Sequence, residues 1–461
     1  MPQGQCTLSA DEIGRVLDRL AGLEHVIRPE EIQQALAATH RVDSRQCRLT
    51  HEVVLWIVLA MALFTDVPIR QVFKLSRRLR FGEHSPHRSS LCAARKRLGV
   101  APVRNLFERV THPLARPETP GAFAYGLRLV GLDSTVYDLP DSAANDAAFG
   151  RPSGGRGDGA FPQIRKLSLV ELGTHAELGL ALKAHRCNER TMVAGLLKLL
   201  TPEMLLLLDK GFFSYELWRE LDAREVKVLA RVTSQMVLRP IRELPDGSYL
   251  AKIYKGDTNR KKDRDGIVVR VIRYTLDDPQ RVGHGQEHVL ITNLLDDALC
   301  PAVDLIILYH ERWEHETTFD EQKTHQDPTR PSKPAHLRSK TPAGVIQEIY
   351  ALSLGHFVIR SLMFEAAATV GLDPDRLSFT GSFQILKCRL PECDAKTPVT
   401  FDAWYRGLLW EIQAERTDPR RNPINPRVIK RKVSKWKKKQ PAHRHLPPLK
   451  KTFRETVVMI R

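Results

Sequence analysis

Three features that would place the chain in a familiar class are missing from its 461 residues. The seven cysteines form no C-x-x-C pair, and the closest two, Cys388 and Cys393, lack histidine partners, which argues against a zinc knuckle and for a reducing compartment. The N-terminus, Met1 to Ser9, has no basic-then-apolar leader pattern. The longest apolar run, Val53 to Phe64, is well short of the ~18 residues that a bilayer span needs. We therefore expect a soluble, cytoplasmic protein without a membrane segment.

Acidic residues are scarce at the end of the chain. Residues 419–461 hold 15 Lys/Arg and one acid, Glu455, so 14 of the 17 net positive charges fall in this tail. A terminal block of this kind usually contacts a polyanion, although a solvated tail would have the same composition. We favour the polyanion. The chain is 42% apolar and 27% charged, which is ordinary for a globular protein, and its length predicts about three domains at roughly 100–200 residues each.

The hydrophobic pattern divides the chain into five regions. Residues 1–115 predict a helical N-terminal domain that binds DNA. Residues 116–232 follow the order strand, strand, strand, helix, strand, helix, strand, which is the order of a ribonuclease-H-like core. Residues 233–296 predict a β-rich insertion subdomain, residues 297–370 complete the core, and residues 371–461 form a C-terminal helical region with the basic tail. The predicted fold class is therefore α/β, a ribonuclease-H-like catalytic core interrupted by a β-rich insertion and flanked by helical regions.

A short basic helix is predicted near the end of the N-terminal domain. Two serines can cap its start and Gly99 ends it, and we expect Arg95, Lys96 and Arg97 on its exposed face. A helix that follows another helix and a turn can enter a major groove. We therefore predict DNA contact by these three residues, although basic exposed helices are also common on plain protein surfaces.

Two aspartates stand at the ends of apolar strands. Asp133 closes the predicted strand from Leu127, and Asp209 follows the continuous apolar run Met204 to Leu208. An open α/β sheet binds its ligands at the carboxyl ends of its strands. Either acid alone would be unremarkable, because acids often cap strands, so the two need a third partner to indicate a site.

A long helix, predicted from Pro301 to about Thr324, supplies that partner. At 100° per residue, four of its polar residues fall in a stripe about 60° wide. The stripe consists of Tyr309, Arg312, Glu316 and Lys323. A solvated row of i,i+4 ion pairs would have the same spacing, but Trp313 and Phe319 flank the stripe and favour a position inside a cleft. Charged groups turned inward need partners such as metal ions or phosphates.

Three carboxylates from two strands and one helix would form a hard-oxygen site. Such a site suits Mg²⁺, with Mn²⁺ as a substitute. Two ions about 4 Å apart would activate a water or a 3′-hydroxyl and stabilise the leaving oxygen of an in-line phosphoryl transfer. Together with the basic charge, this pattern predicts an enzyme that cuts or joins nucleic acid.

Four segments carry a specific combination of motifs. They are GLDSTVYDLPD from Gly131, LDKGFFSYEL from Leu208, LITNL from Leu290, and YHERWEHETTFDEQK from Tyr309 to Lys323. The last has the Y-R-E-K signature at its family spacings, and the chain from about Leu127 to Phe383 resembles the DDE transposases of the insertion-sequence IS-four group. Ser134 and Lys210 depart from the residues most frequent in that group, but each change preserves size or charge.

This resemblance implies roles for individual residues. It implies that Asp133, Asp209 and Glu316 are the catalytic and metal-binding triad. It also implies that Tyr309, Arg312 and Lys323 grip the transposon end near a flipped base. A stacking aromatic for that base is expected in or near the β-rich insertion, where Tyr249, Tyr254 and Tyr274 are the candidates.

The resemblance also implies the function. We expect a transposase that excises and inserts its own insertion sequence by metal-dependent strand cleavage and strand transfer, through hairpin ends. Its expected partners are the terminal inverted repeats, the target DNA and a second protomer, since two ends must be joined together. The alternatives are a non-catalytic DNA-binding regulator derived from a transposase and a structure-selective ribonuclease-H-like nuclease.

Overall fold

The computed structural model describes residues 17–43, 47–79, 83–154, 157–279, 284–329, 333–393, 397–419 and 450–460. In these parts of the chain, a mixed β-sheet and two groups of helices pack around one long buried helix, Pro342–Ala368. The predicted mixed α/β fold with helical N- and C-terminal regions is confirmed. Apolar residues at helical spacing predict a first helix through Ile13, Val16, Leu17 and Leu20, of which Ile13 and Val16 lie outside the described residues.

The N-terminal region is a helical bundle. A 3₁₀ turn, Asp18–Leu23, precedes its helices. These are α1 (Pro29–Ala38), α2 (His51–Leu63), α3 (Ile69–Ser76), α4 (Arg88–Leu98) and α5 (Ala101–Val110). The hydroxyl of Thr50 accepts the amide of Val53 and caps α2, which is buried along its whole length after its first two residues. The apolar run predicted as a buried helix is thus the centre of this bundle.

The basic helix α4 differs from its prediction at its start and at one basic residue. Its N-cap is His87, whose ring accepts the amide of Ser89, so the prediction that a serine caps the helix is wrong. It ends at Gly99, which has φ +74°, as the sequence indicated, and Lys96 and Arg97 are exposed. The prediction that Arg95 is exposed is wrong, because its side chain is only 11% exposed. Its guanidinium donates to Ser339 Oγ and to the carbonyl of Gly344, each at 3.2 Å. Arg95 therefore joins the bundle to the start of the long buried helix.

The first five long strands reproduce the predicted core. The elements are β1 (Leu127–Asp138), α6 (Ala143–Phe149), β2 (Gln163–Glu171), β3 (Ala176–Ala184), α7 (Glu189–Val193), β4 (Met204–Leu208), α8 (Tyr215–Ala223) and β5 (Lys227–Val232). Their order in the sheet is β3-β2-β1-β4-β5. The first three strands are antiparallel neighbours, whereas β1, β4 and β5 run parallel. This is the strand order of a ribonuclease-H-like sheet, with the predicted helix after residue 189 shortened to one turn and a 3₁₀ turn, Leu197–Leu199.

The β-rich insertion continues the core sheet. It contains β6 (Tyr249–Ile253), α9 (Asp257–Lys261), β7 (Ile267–Leu276) and β8 (His288–Thr292). β8 pairs antiparallel with β5, β7 with β8, and β6 with β7. Backbone hydrogen bonds run without a break from the core strands into those of the insertion. Short strands complete these sheets at Phe123–Ala124, Ser153–Gly154, Gly157–Asp158 and Arg242–Glu243.

The long helix predicted from Pro301 to Thr324 is a series of four helical segments. It begins with α10 (Ala302–Tyr309), passes through a 3₁₀ turn (His310–Arg312) and α11 (Trp313–Asp320), and ends in a π-helical turn (Glu321–Gln326). Pro301 stands at the N-cap, as its predicted place at the helix start implies. π-Helical turns inside helices often occur at functional sites.

Two C-terminal helices pack beside the core helix, α12 (Pro342–Ala368). They are α13 (Phe379–Arg389) and α14 (Pro398–Ala414), with 3₁₀ turns at Pro374–Arg376 and Leu390–Glu392. By length and composition α12 could cross a membrane, but 89% of its most apolar window is buried inside the protein. Core helices of globular proteins meet the same criterion, and α12 is packed by α2, α5 and α14.

The last described residues return to the sheet. A short helix, α15 (Phe453–Thr456), leads into β9 (Val457–Met459), which pairs antiparallel with β7. Arg454 donates to Asp304 at 2.6 Å, which attaches this segment to α10. Most of the predicted basic tail, residues 420–449, and Arg461 lie outside the described residues.

Candidate active site

The two aspartates lie side by side in the sheet, where the parallel pairing of β1 with β4 ends. The prediction that Asp133 closes its strand is wrong, because β1 continues to Asp138 and Asp133 pairs with Ser168 of β2. β1 and β4 are parallel, and the last pair in their register is Leu132 and Leu208. Asp133 and Asp209 directly follow those leucines. All of β4 is buried, as is usual for a central parallel strand. The sheet therefore brings the first two predicted acids to the same level of neighbouring strands.

Gly131 lets the helix that carries Glu316 approach β1. A Cβ at this position would lie 2.8 Å from Leu172 Cδ2 and 3.0 Å from His315 Nδ1. His315 is fully buried and immediately precedes Glu316. The missing side chain therefore sets the distance between β1 and α11 and allows Glu316 to reach the strand that carries Asp133.

Arg312 joins two of the three acids. Its Nη1 donates to Asp133 Oδ2 and its Nη2 to Glu316 Oε1, each at 3.2 Å. The Arg312 side chain is 15% exposed, and the Glu316 side chain is 41% exposed. Burial lowers the pKa of Arg312, but Tyr309 and the carboxylates of Asp133, Asp209 and Glu316 outweigh it and raise the pKa. The carboxylates of all three predicted acids thus favour the charged form of one guanidinium.

The pKa of Asp133 reflects its burial among charged neighbours. Burial, with smaller contributions from the carboxylates of Glu316 and Asp209, raises this pKa from 3.8 to about 6. The amide of Ser134 and the guanidinium of Arg312 act in the opposite direction without cancelling the shift. Oxygen ligands with uncompensated negative charge are what Mg²⁺ and Mn²⁺ prefer. The donor set of Asp133, Asp209 and Glu316 therefore fits a divalent cation.

Tyr309 lies inside the protein beneath the triad. Its side chain is 7% exposed, and its hydroxyl donates to the carbonyl of Leu208 at 3.2 Å. Burial, with the nearby carboxylate of Asp209, raises the pKa of Tyr309. In the DNA-free protein this residue holds the end of β4, next to Asp209, and its contact with DNA stays a prediction.

Lys323 lies in the π-helical turn, and its side chain extends along β1. Its Nζ donates to the carbonyl of Val136 at 2.8 Å and to Thr135 Oγ1 at 3.2 Å, and it lies 5.3 Å from the centre of the Tyr137 ring. Burial lowers the pKa of Lys323. The predicted inward stripe is therefore real, since Tyr309, Arg312 and Lys323 all reach β1 or β4.

The candidate stacking aromatics differ in their surroundings. Tyr274 is buried against His288, with ring centres 5.0 Å apart. The Tyr249 hydroxyl donates to the carbonyl of Leu238 and accepts from Arg273, whereas the Tyr254 hydroxyl donates to Asp263 at 2.6 Å. None of these contacts shows which of the three tyrosines would stack on a flipped base. Trp313, which follows Arg312 directly, is 48% exposed.

A support on the far face of β1 was not predicted from the sequence. The hydroxyl of Ser134 donates to Glu189 Oε1 at 2.7 Å, and Arg165 donates both to that hydroxyl, at 3.2 Å, and to Glu189. Ser134 also donates its amide to Asp133 Oδ1 at 2.7 Å. This group fixes the backbone beside Asp133. Only the position of Ser134 after the first aspartate could have pointed to it.

A second buried cluster lies behind the site. The ligand atoms of His175, Glu314 and Asp375 come within 4.8 Å of one another, so they could hold a metal by geometry. Arg360 lies among them, 3.7 Å from Asp375 and paired with Glu321. A guanidinium in this position supplies the positive charge that a metal would bring, and the cluster is best described as a core ion-pair network.

The polar residues of the loop after β1 have structural contacts. The amide of Asn145 donates to the carbonyls of Pro140 and Ser339 at 3.0 and 3.1 Å. Asp141 pairs with Arg151, and Asp138 accepts from Gln163. These contacts give all three side chains a structural role in the segment between β1 and β2.

Two family models match the chain. Residues 17–108 match the insertion element 4 transposase N-terminal domain, and residues 125–341 match the transposase DDE domain. The second match contains Asp133, Asp209 and Glu316. The helical bundle and the sheet with its insertion therefore correspond to two recognised transposase domains.

Individual relatives agree with these matches. The chain is 29% identical over 424 residues to the transposase InsG for insertion sequence element IS4 of Escherichia coli (strain K12), covering 90% of this chain and 93% of that protein. It is 27% identical over 196 residues to the putative transposase InsZ of the same strain, covering 42% of this chain and 65% of that one. A solved piggyBac transposase synaptic complex with hairpin DNA aligns with 86% of this chain and 85% of that chain, at 14% identity and a TM-score of 0.44.

Proposed function

Because this chain belongs to the DDE transposases of the IS4 family, we propose that Asp133, Asp209 and Glu316 are the carboxylates with which it cleaves and joins DNA. The protein is a transposase, an enzyme of DNA strand cleavage and strand transfer. The observation that carries the residue assignment is the convergence of these three acids on Arg312. Side chains from two strands and a helix meet there, beside the carboxyl end of β4, where its parallel pairing with β1 ends.

The proposed cofactor is Mg²⁺, with Mn²⁺ as a substitute and two ions in each site. Bound ions would supply the positive charge that activates a water or a 3′-hydroxyl and stabilises the leaving oxygen of phosphoryl transfer. Asp133, Asp209 and Glu316 would hold them. The Ser134 amide and the group behind it keep the Asp133 carboxylate in one orientation. Gly131 keeps Glu316 close to β1.

The cationic residues of the stripe are proposed to hold DNA. Arg312 presents a planar fork that matches a phosphate, and Lys323 presents a point charge. Both are partly buried at the edge of the carboxylate site, so phosphates bound there would lie next to the reacting groups. Lys96 and Arg97 of α4 are exposed and remain candidates for a separate DNA contact.

We propose that the reaction is excision and insertion of the element that encodes the protein. Water hydrolyses one strand at each terminal inverted repeat, and the freed 3′-hydroxyl attacks the opposite strand, which closes a hairpin end and releases the flanking DNA. A second water opens the hairpin, and the regenerated 3′-hydroxyl attacks target DNA in the cell's nucleoid and displaces a 3′-hydroxyl of the target strand. Two protomers act in one complex, because two ends must be joined together.

Cleavage of end DNA tests the carboxylate assignment. Asp133→Asn, Asp209→Asn and Glu316→Gln are each expected to abolish Mg²⁺-dependent nicking of a duplex that carries the element's terminal repeat, while the duplex is still bound. The matched control is Asp320→Asn, on the same helix and 58% exposed, which should cleave like the parent. Normal cleavage by any of the three variants would contradict the assignment.

The same assay separates the alternatives. A regulator would bind the repeat and leave it uncut at every Mg²⁺ concentration. A structure-selective nuclease would cut without preference for the repeat sequence. Accumulation of hairpins followed by joining to a plasmid supports transposition.

A further inference from the structure

Arg312 occupies the position that a metal ion needs. Its two terminal nitrogens lie 3.2 Å from Asp133 Oδ2 and 3.2 Å from Glu316 Oε1, one oxygen from each carboxylate. These contacts join two acids from separate elements, β1 and α11, so the guanidinium acts as an internal counter-ion of the site. With only 15% of its side chain exposed, water screens it poorly.

A guanidinium and a divalent cation compete for the same oxygens. Charge-assisted hydrogen bonds to carboxylates are among the strongest that proteins make. A metal ion that coordinates Asp133 Oδ2 or Glu316 Oε1 would displace one of these bonds, and an ion on the other carboxylate oxygens would be repelled by the nearby guanidinium. As long as Arg312 stays in this place, metal binding is therefore weakened.

A DNA phosphate offers Arg312 another partner. Phosphate accepts the two parallel hydrogen bonds of the guanidinium fork as well as a pair of carboxylates does. Arg312 ends the 3₁₀ turn between α10 and α11, at a break in the helix, and its long side chain can turn outward from there. Glu316 is its half-exposed partner, so the site opens towards solvent on that side.

We propose that Arg312 couples DNA binding to metal loading. Without DNA it bridges Asp133 and Glu316 and keeps the affinity for metal low. When a transposon end binds, the guanidinium transfers to a backbone phosphate and both carboxylates become free for metal. This inference rests on the proposed metal site. It adds that metal binds there mainly after DNA has bound, so that the protein cuts a transposon end only once it holds that end.

Linkage gives the expected size of the effect. If DNA raises the affinity for metal, metal raises the affinity for DNA by the same factor, and such couplings are typically about 5–150-fold. Loss of Arg312 should remove the coupling by raising the metal affinity of the DNA-free protein. Variants that only weaken DNA binding should leave that affinity unchanged.

Direct measurement of Mn²⁺ binding tests the proposal. The full-length protein without DNA is titrated with Mn²⁺, and free ion is followed by electron paramagnetic resonance. Arg312→Gln should bind Mn²⁺ at least about 5-fold tighter than the parent. Arg312→Lys, which keeps a positive charge, should stay closer to the parent. The matched control is Lys323→Gln, because Lys323 bonds to Thr135 and Val136 and touches none of the triad; its Mn²⁺ affinity should equal that of the parent.

A second titration includes DNA. The probe is an end duplex that has already been cleaved, so that it cannot be cut again. This duplex should tighten Mn²⁺ binding by the parent and leave binding by Arg312→Gln unchanged. The proposal is overturned if Arg312→Gln binds Mn²⁺ no more tightly than the parent in the absence of DNA.

Asp133→Asn separates this result from a failure of the proposed function. If that variant loses Mn²⁺ binding while Arg312→Gln gains none, the metal site stands and only the coupling is wrong. If Asp133→Asn binds Mn²⁺ as the parent does, the carboxylate assignment itself is wrong, and the coupling falls with it. Circular dichroism of each variant identifies a loss of folding, and Arg312→Met, which also removes the positive charge, then decides the question in place of Arg312→Gln.

Discussion

Asp133→Asn is expected to stabilise the metal-free protein by an amount that depends on pH. Burial, together with the carboxylates of Glu316 and Asp209, raises the pKa of Asp133 from 3.8 to about 6. A shift of about two units corresponds to about 3 kcal/mol at roughly 1.4 kcal/mol per unit. That free energy is the cost of keeping Asp133 ionised in the folded state without metal, and an amide of the same shape does not incur it.

The sign follows from proton binding. Unfolded Asp133 ionises near 3.8, whereas the folded protein holds its proton until about pH 6. Between these values the folded state binds more protons, so the stability of the parent falls as the pH rises. The free-energy cost of ionising folded Asp133 is absent at pH values below the unfolded pKa of 3.8 and complete at pH values above the folded pKa of about 6. We expect the advantage of Asp133→Asn to be about 1.6 kcal/mol near pH 5 and about 3 kcal/mol near pH 8.

Urea unfolding in EDTA at the two pH values measures this advantage. Asp320→Asn is the control, because its exposed side chain should change stability by no more than about 0.5 kcal/mol at either pH. The reasoning is refuted if Asp133→Asn is no more stable than the parent near pH 8, or if its advantage is the same at both values. Added Mg²⁺ should narrow the gap, since only the parent retains the full carboxylate set.

Three further predictions concern packing and buried charge. Gly131→Ala should cost about 1–3 kcal/mol of stability by pressing on His315, and should slow cleavage by moving Glu316 away from β1; parental cleavage would show that this spacing is unimportant. Arg338→Met removes three hydrogen bonds to carbonyls at and beyond the end of α2 and should cost about 1.5–3 kcal/mol, with faster proteolysis of the N-terminal bundle; an unchanged digestion rate would speak against it. Lys166→Met leaves the buried Glu177 unpaired and should cost about 3–5 kcal/mol in urea unfolding, whereas replacing both residues by apolar ones should recover most of the loss.

The candidate site could be predicted because its residues occupy recognisable positions in the sequence pattern. Asp133 and Asp209 follow apolar runs, and Tyr309, Arg312, Glu316 and Lys323 share one helical face at fixed spacing. The apolar run did not reveal that β1 continues beyond Asp133 by pairing with β2. The structure has that inward stripe even though the helix is interrupted by a 3₁₀ turn and a π-helical turn. These irregularities depend on buried partners such as Arg360, which pairs with Glu321 in the π turn, and no local pattern reveals them.

Other expectations depended on contacts between distant segments. Arg95 was expected at the surface because basic helix residues usually are, but the start of α12 supplies acceptors for it from almost 250 positions away. Alternating apolar and polar residues in segment 233–296 predicted a β-rich insertion, but they could not show which core strand it pairs with. Pairing of β8 with β5 joins the insertion to the core sheet.

The sequence by itself predicted the order of strands and helices along the core, the three candidate acids and the polar stripe of the helix, because hydrophobic period and residue spacing are local properties. Only the tertiary structure decided how these parts meet. The absent side chain at Gly131 sets the approach of α11 to β1, and Arg312 settles between Asp133 and Glu316 because two carboxylates brought together by the fold leave negative charge that a cation must balance.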